Sequence, residues 1–303
     1  MTQFVPARWQ KLGIVIAPDS SNMWNLTHAM MPTPEHVEGS LWRIYFGGRN
    51  EKNQSYISWV LIDLAEPDRI LERCTEPVLC PGPLGTFDDN GVLPSCIVKD
   101  GEETLMYYIG FKPGGTTRMD LFGGLASRRL ASKGFNRLSR APILERNHIN
   151  PYINTAPWVV RDGCSWRMYY VAGTEWVNRD LPRYNIQIAT SDDGRNWVRD
   201  GKVAVDFGPE ENALARPYVY RSCGKWVMWF ASKGLAYQAC WAISDDGLEW
   251  TRLENGPGLE TSSSGPDSDM LEYFVVLEHN KQRIVFYNGN NYGRDGICVA
   301  IEE

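Results

Sequence analysis

The stretch Trp42-Arg43-Ile44-Tyr45-Phe46-Gly47 decides the fold, because it comes back four more times. It returns as Leu105-Met106-Tyr107-Tyr108-Ile109-Gly110, as Trp166-Arg167-Met168-Tyr169-Tyr170, as Trp226-Val227-Met228-Trp229-Phe230 and as Arg283-Ile284-Val285-Phe286-Tyr287. The central aromatics Tyr45, Tyr107, Tyr169, Trp229 and Phe286 are spaced by 62, 62, 60 and 57 residues. A fixed period of this length marks a repeat architecture.

A second marker keeps step with the first. Pro32, Pro94, Pro157 and Pro217 each precede the aromatic by 12 or 13 residues, and Tyr273 is read as standing in the proline's place in the fifth copy. A short strand-like run follows each proline, then polar turn residues, then the aromatic strand. A third strand comes next, as in Ile186-Gln187-Ile188-Ala189. Ser191-Asp192-Asp193-Gly194 and Ser244-Asp245-Asp246-Gly247 then turn the chain toward Trp197 and Trp250. Asp side chains cap such turns, so these four aspartates read as structural. The Tyr, Trp, Val and Ile of the strands suit pleated, half-buried surfaces. No convincing amphipathic helix interrupts them, which argues against alternating β/α folds.

Five units of this kind predict an all-β, five-bladed β-propeller, each blade of about four antiparallel strands around a central channel. The blades fall roughly at 25–75, 85–140, 150–200, 210–255 and 266–303, in one domain whose N-terminal strand closes the ring.

Composition narrows the partners. The formal net charge is −6 and the sequence pI about 5.4, which opposes general affinity for nucleic acid or anionic membrane. Arg128, Arg129 and Lys133 read as a solvated basic face. The start, MTQFVPARWQKLGIVIAPD, lacks the basic region and apolar run of a secretory leader. No segment approaches 18 consecutive apolar residues, so no membrane span is expected. Seven scattered cysteines without a CxxC pair read as reduced, buried thiols, and the expected location is cytoplasmic.

With acidic residues leading into the innermost strands, the chain resembles the clan of family 43, 32, 68, 117 and 130 glycoside hydrolases and phosphorylases. The Ser-Asp-Asp-Gly-x-x-Trp turns are typical of such blades. The stretches Asn25–Pro34, Gly85–Ser95, Glu210–Pro217 and Asp267–Tyr273 resemble uncharacterised propellers of that superfamily more closely. The resemblance implies a small-molecule carbohydrate substrate, bound at the mouth of the channel.

Residues just before each innermost strand project into that mouth. Four places before the proline register stand His28, Asn90, Ile153, Ala213 and Asp269; one place before it stand Met31, Leu93, Ala156, Arg216 and Glu272. Glycoside cleavage needs one protonated and one ionised carboxyl group across the scissile bond. Asp89, Glu211 and Glu272, with His28 as base, are therefore the catalytic candidates. Asp88, Arg216, Asp269, Arg49, Tyr273, Asn288 and Asn290 are the substrate-binding candidates. Lys233 and Glu175 likewise follow aromatic strands. Trp24, Trp158, Trp176 and Tyr292 are available for sugar stacking or for packing between blades.

No cofactor or metal ligand set is assigned, though the channel leaves room for a divalent metal such as calcium. Family-43-like hydrolases carry Asp, Asp and Glu in blades one to three. Here His28 stands at the first position and blade three offers only Asn154 and Thr155. The chemistry expected is thus that of a sugar-modifying enzyme with a non-standard acid/base set, hydrolytic, phosphorolytic or otherwise. The alternative is a non-catalytic carbohydrate-binding or scaffold propeller.

Overall fold

The computed structural model describes residues 4–129, 132 and 134–303. Lys133 lies outside the described residues. Five blades of four antiparallel strands surround one axis. The chain does not begin in blade one: its first strand, β1 (Trp9–Ile16), pairs with the last, β20 (Ile297–Glu302). Blade one comprises β2 (Thr27–Glu38), β3 (Leu41–Arg49), β4 (Ser55–Asp63) and β5 (Ile70–Arg73). Blade two comprises β6 (Gly91–Asp100), β7 (Glu103–Pro113), β8 (Met119–Arg129) and β9 (Asn136–Arg137). Blade three comprises β10 (Asn154–Asp162), β11 (Ser165–Asn178), β12 (Leu181–Ser191) and β13 (Val203–Val205). Blade four comprises β14 (Ala213–Ser222), β15 (Lys225–Lys233), β16 (Tyr237–Ser244) and β17 (Thr251–Arg252). Blade five takes β18 (Glu272–His279), β19 (Gln282–Asn288) and β20 from the C-terminal end and β1 from the N-terminal end, so the two ends of the chain share one sheet.

The repeated aromatics explain how the blades stack. Each sits on the second strand of its blade, and the first four meet an aromatic of the next blade edge-on. Tyr45 meets Phe135 at 5.9 Å, Tyr107 meets Trp197 at 6.1 Å, Tyr169 meets Trp250 at 5.4 Å and Trp229 meets Trp9 at 5.7 Å. Edge-to-face pairs are favourable beyond the area they bury. The hydroxyls of Tyr107 and Tyr169 also donate to the carbonyls of Gly194 and Gly247. Those glycines end the Asp-Asp-Gly turns, at φ 69° and 72°. In both turns the second aspartate accepts backbone N–H groups, as Asp193 does from Arg195 and Asn196, and Asp246 from Leu248 and Glu249.

The prolines mark a bulge in the innermost strand. In blade three the pairing passes from Thr155↔Val171 to Trp158↔Tyr169, leaving one extra residue in β10. Blade four does the same between Ala215 and Tyr218, and blade five between Glu272 and Val275. The first bulged residue is left-handed: Met31 at φ 61°, Ala156 at 49°, Arg216 at 41° and Tyr273 at 58°. Such values are uncommon outside glycine. They give the true register of the fifth copy. Phe274, not Tyr273, occupies the proline's place, and Tyr273 is the equivalent of Arg216. A shift of one residue exchanges the faces of a strand. The places assigned from sequence to Asp269 and Glu272 therefore belong to Met270 and Tyr273.

Two further expectations are corrected. Arg128 is not part of a solvated face: with Arg43 it holds the buried carboxylate of Glu35. Of the cysteines, Cys96 and Cys298 are buried, whereas Cys80, Cys164 and Cys223 are exposed.

Candidate functional site at the axial funnel

Among the cavities of the described surface, one draws side chains from all five blades, and it opens at one mouth of the axis. Its volume is about 440 Å³. His28, Arg49 and Asn53 come from blade one, Arg118 and Leu121 from blade two, and Asp180 and Tyr184 from blade three. Asn212, Lys233 and Tyr237 come from blade four, and Tyr273 and Tyr292 from blade five.

Arg216 ties the innermost strands together at the axis. It is 1% exposed, and its guanidinium reaches the innermost strands of three other blades. It donates to the carbonyl oxygens of Pro32, Ser95 and Tyr273 and to the Thr33 hydroxyl. Burial lowers its pKa to about 10, which still leaves it charged at neutral pH. The expected grip on substrate is therefore replaced by a structural one, with the fork spent on main-chain acceptors. A cation at the hub also gives calcium an unfavourable place to sit. Among the described residues no group of three or more His, Cys, Asp or Glu side chains is arranged to hold a metal ion.

One wall of the funnel is tyrosine. Tyr184 and Tyr237 share a short hydroxyl–hydroxyl hydrogen bond, and Tyr237 meets Tyr292 edge-on at 6.3 Å. Lys233 Nζ lies 5.3 Å from the Tyr237 ring centre. Behind this wall is Glu272, fully buried, with neither carboxyl oxygen in a hydrogen bond. Burial pushes its pKa well above the ordinary carboxylate range. The neighbouring Tyr273 side chain and Lys233 only partly oppose this. These surroundings favour the neutral acid form of Glu272, because an ionised carboxylate without a partner is costly to bury.

Across the funnel His28 is held in a left-handed conformation at φ 66°, with Nδ1 2.9 Å from the Thr27 hydroxyl. Partial burial, then the positive charges of Arg49 and Arg294, lower its pKa to about 4. It is a neutral imidazole at physiological pH.

The other candidates lie elsewhere. Asp88 is buried beneath the second blade, where it accepts from Arg137, Tyr108 and Thr86. Asp89 accepts from the backbone N–H of Gly85 at 2.8 Å and is a turn cap. Glu211 is gripped by both Arg252 Nη atoms. Burial works against its ionisation, but Arg252, the Gly208 N–H and Ser232 outweigh it and bring the carboxyl to about 2. Asn288 bonds Met31 N–H and the Ala29 and Gly296 carbonyls, tying blade five to blade one. Asn290 staples the preceding loop through Asp269 N–H, Met270 N–H and the Gly265 carbonyl. Asp269 is exposed, and Glu175 pairs with Arg183 on the surface. Trp158 is packed against Tyr218 rather than lining the funnel.

His28, Arg49 and Tyr273 thus line one cavity, with Glu272 against its wall. Sequence reasoning missed Arg118, Asp180, Tyr184 and Tyr237. Arg118 and Asp180 come from the hairpins joining β7 to β8 and β11 to β12, and Tyr184 and Tyr237 from the third strands of their blades. The register of the innermost strands gives no sign of them. The expected acid-lined funnel is instead rich in cations and phenols.

A curated relative, "Uncharacterized protein Rv1502" of Mycobacterium tuberculosis strain H37Rv, is 38% identical over 297 residues, covering 97% of this chain and 99% of the relative. The chain belongs to the Rv1502 family. The five-bladed architecture of this Rv1502-family protein is shared with solved glycoside hydrolases. A structure described as "Glycoside hydrolase" superposes with a TM-score of 0.77 at 21% identity, over 99% of this chain and 92% of that one. A thermostable family-43 glycoside hydrolase gives 0.68 at 16% identity, over 91% and 89% of the two chains. At such identities the likeness establishes the fold. No family model matches the sequence.

Proposed function

We propose that this protein is a sugar-processing enzyme whose substrate lies in the axial funnel, its ring faces against the tyrosine wall. The observation that carries this reading is that His28 and Tyr273 line one cavity, with Glu272 fully buried beside Tyr273. Burial favours the neutral imidazole of His28 on blade one and the neutral carboxyl of Glu272 on blade five. Those are the states required to take a proton from an attacking hydroxyl and to supply one to a leaving oxygen.

Glu272 does not itself reach the cavity, so it acts as a positioning residue through Tyr273. In the proposed step a glycosidic C–O bond breaks as the Tyr273 hydroxyl protonates the leaving oxygen. As the Tyr273 phenol ionises, its oxygen takes up the Glu272 proton through a hydrogen bond that forms only during the step. The attacking water or hydroxyl forms the new C–O bond and gives its proton to His28 Nε2. Asp89 and Glu211, spent on a turn and on Arg252, are outside this machinery. Substitution of Tyr273 by Phe, or His28 by Ala, should lower turnover of a responsive glycoside at least a hundredfold with little change in melting temperature. Full activity in both variants would refute the assignment.

A binding-only propeller is favoured by a different observation. Among the described residues that line the cavity Asp180, exposed at the rim, is the single carboxylate. Sugar binding without turnover across a wide glycoside panel would select this second reading.

A further inference from the structure

The funnel carries three cations on three blades: Arg49 at the end of β3, Arg118 in the β7–β8 hairpin and Lys233 at the end of β15. Several arginines elsewhere in the ring are tied to carboxylates, as Arg128 is to Glu35, Arg137 to Asp88 and Arg252 to Glu211. Among the described residues none of the three funnel cations is ion-paired. Arg49 donates only to the Asn53 side chain, Arg118 approaches only the Met119 sulfur, and Lys233 lies 3.5 Å from the Tyr292 hydroxyl. Arg294 adds a fourth positive charge acting on His28. On a chain with a net charge of −6, converging unpaired cations on one concave surface is unfavourable unless an anion completes it.

We propose that the funnel's ligand is a phosphate ester of a sugar, its phosphoryl oxygens held by Arg49, Arg118 and Lys233 and its ring laid on the tyrosine wall. This rests on the reading of the funnel as a sugar site and specifies the substrate class. Two guanidinium forks and an ammonium exceed what a single carboxylate can satisfy, whereas a phosphate presents three peripheral oxygens. A sugar 1-phosphate and a nucleotide diphosphate sugar share this chemistry.

The test is calorimetric titration of the full chain with matched probes: α-D-glucose 1-phosphate, UDP-glucose, methyl α-D-glucoside, D-glucuronate and inorganic phosphate, repeated with the mannose and galactose counterparts. For at least one sugar, a phosphorylated form should bind about tenfold or more tightly than the neutral glycoside and the uronate. The tighter of the 1-phosphate and the nucleotide sugar identifies the source. Raising salt from about 50 mM to about 500 mM should weaken that form far more than the neutral one. Arg118→Gln, at an exposed position, and Lys233→Met should each cost about tenfold on the phosphate ester and much less on the neutral sugar. Equal affinity for neutral and phosphorylated sugars would overturn this inference and leave the sugar site standing. Inorganic phosphate binding as tightly as the esters would overturn the assignment to a sugar ester. No binding by any probe would remove the sugar site itself, and this inference with it.

Discussion

Arg216 Nη1 donates to the main-chain oxygen of Tyr273 at 3.2 Å, so the residue that fills the hub also fixes the residue that walls the funnel. Both stand first in the bulge of their innermost strands, and both hold a left-handed backbone. Strained conformations of this kind persist where the surroundings over-determine them. Here the surroundings are the other blades, joined through one guanidinium.

Truncating that guanidinium should therefore damage the whole ring. Arg216→Ala leaves the Pro32 and Ser95 carbonyls without their donor and opens a void at the axis. A loss of about 3–5 kcal/mol is expected in denaturant unfolding, or failure to fold. A loss under about 1 kcal/mol would show that the hub is held by something else.

Glu272 predicts a pH dependence of stability. Its folded pKa is raised above its unfolded value, so its contribution to stability is fully present below about pH 4.5 and is lost as pH rises toward the folded pKa. Glu272→Gln keeps the shape without the ionisation. The variant should gain melting temperature over the wild type at pH 8 and match it more nearly at pH 5. Thermal melts across that range check this, and parallel curves would contradict a buried neutral acid.

His28 acts in the opposite sense. Its folded pKa, about 4, lies below the ordinary imidazole value of 6.5. Between the two, the unfolded chain binds the proton and the folded one does not, so stability from this residue falls as pH drops from about 6.5 to about 4. Proton NMR should find the His28 ring titrating near 4, and Arg49→Met should move it upward by removing a repelling charge. A wild-type midpoint near 6.5 would contradict the cationic surroundings described above.

The ring was legible in the sequence because it is written in repeats. Tyr45, Tyr107, Tyr169 and Trp229 recur since each must meet an aromatic of the next blade, and periodic packing leaves a periodic pattern. The funnel was only partly legible. His28, Arg49 and Tyr273 were found because they flank the inner and aromatic strands. Asp88 and Glu211 were drawn in by residue type and by their place ahead of the innermost strands, yet each is held by an arginine far along the chain, Arg137 and Arg252. Such pairings depend on tertiary approach, which composition cannot show. The fifth copy was misread by one residue because Phe274 replaces the proline, and only the strand pairing reveals where its bulge lies. Tyr184 and Tyr237 face the axis from third strands, which the proline register does not index.

The most direct test of the funnel as the working site is crystallographic. Crystals soaked with the tightest-binding sugar phosphate should show its ring against Tyr184, Tyr237 and Tyr273, with its phosphate among Arg49, Arg118 and Lys233. Ligand density confined to the outer cleft beside Trp166 and Trp197, with the axial mouth empty, would contradict it.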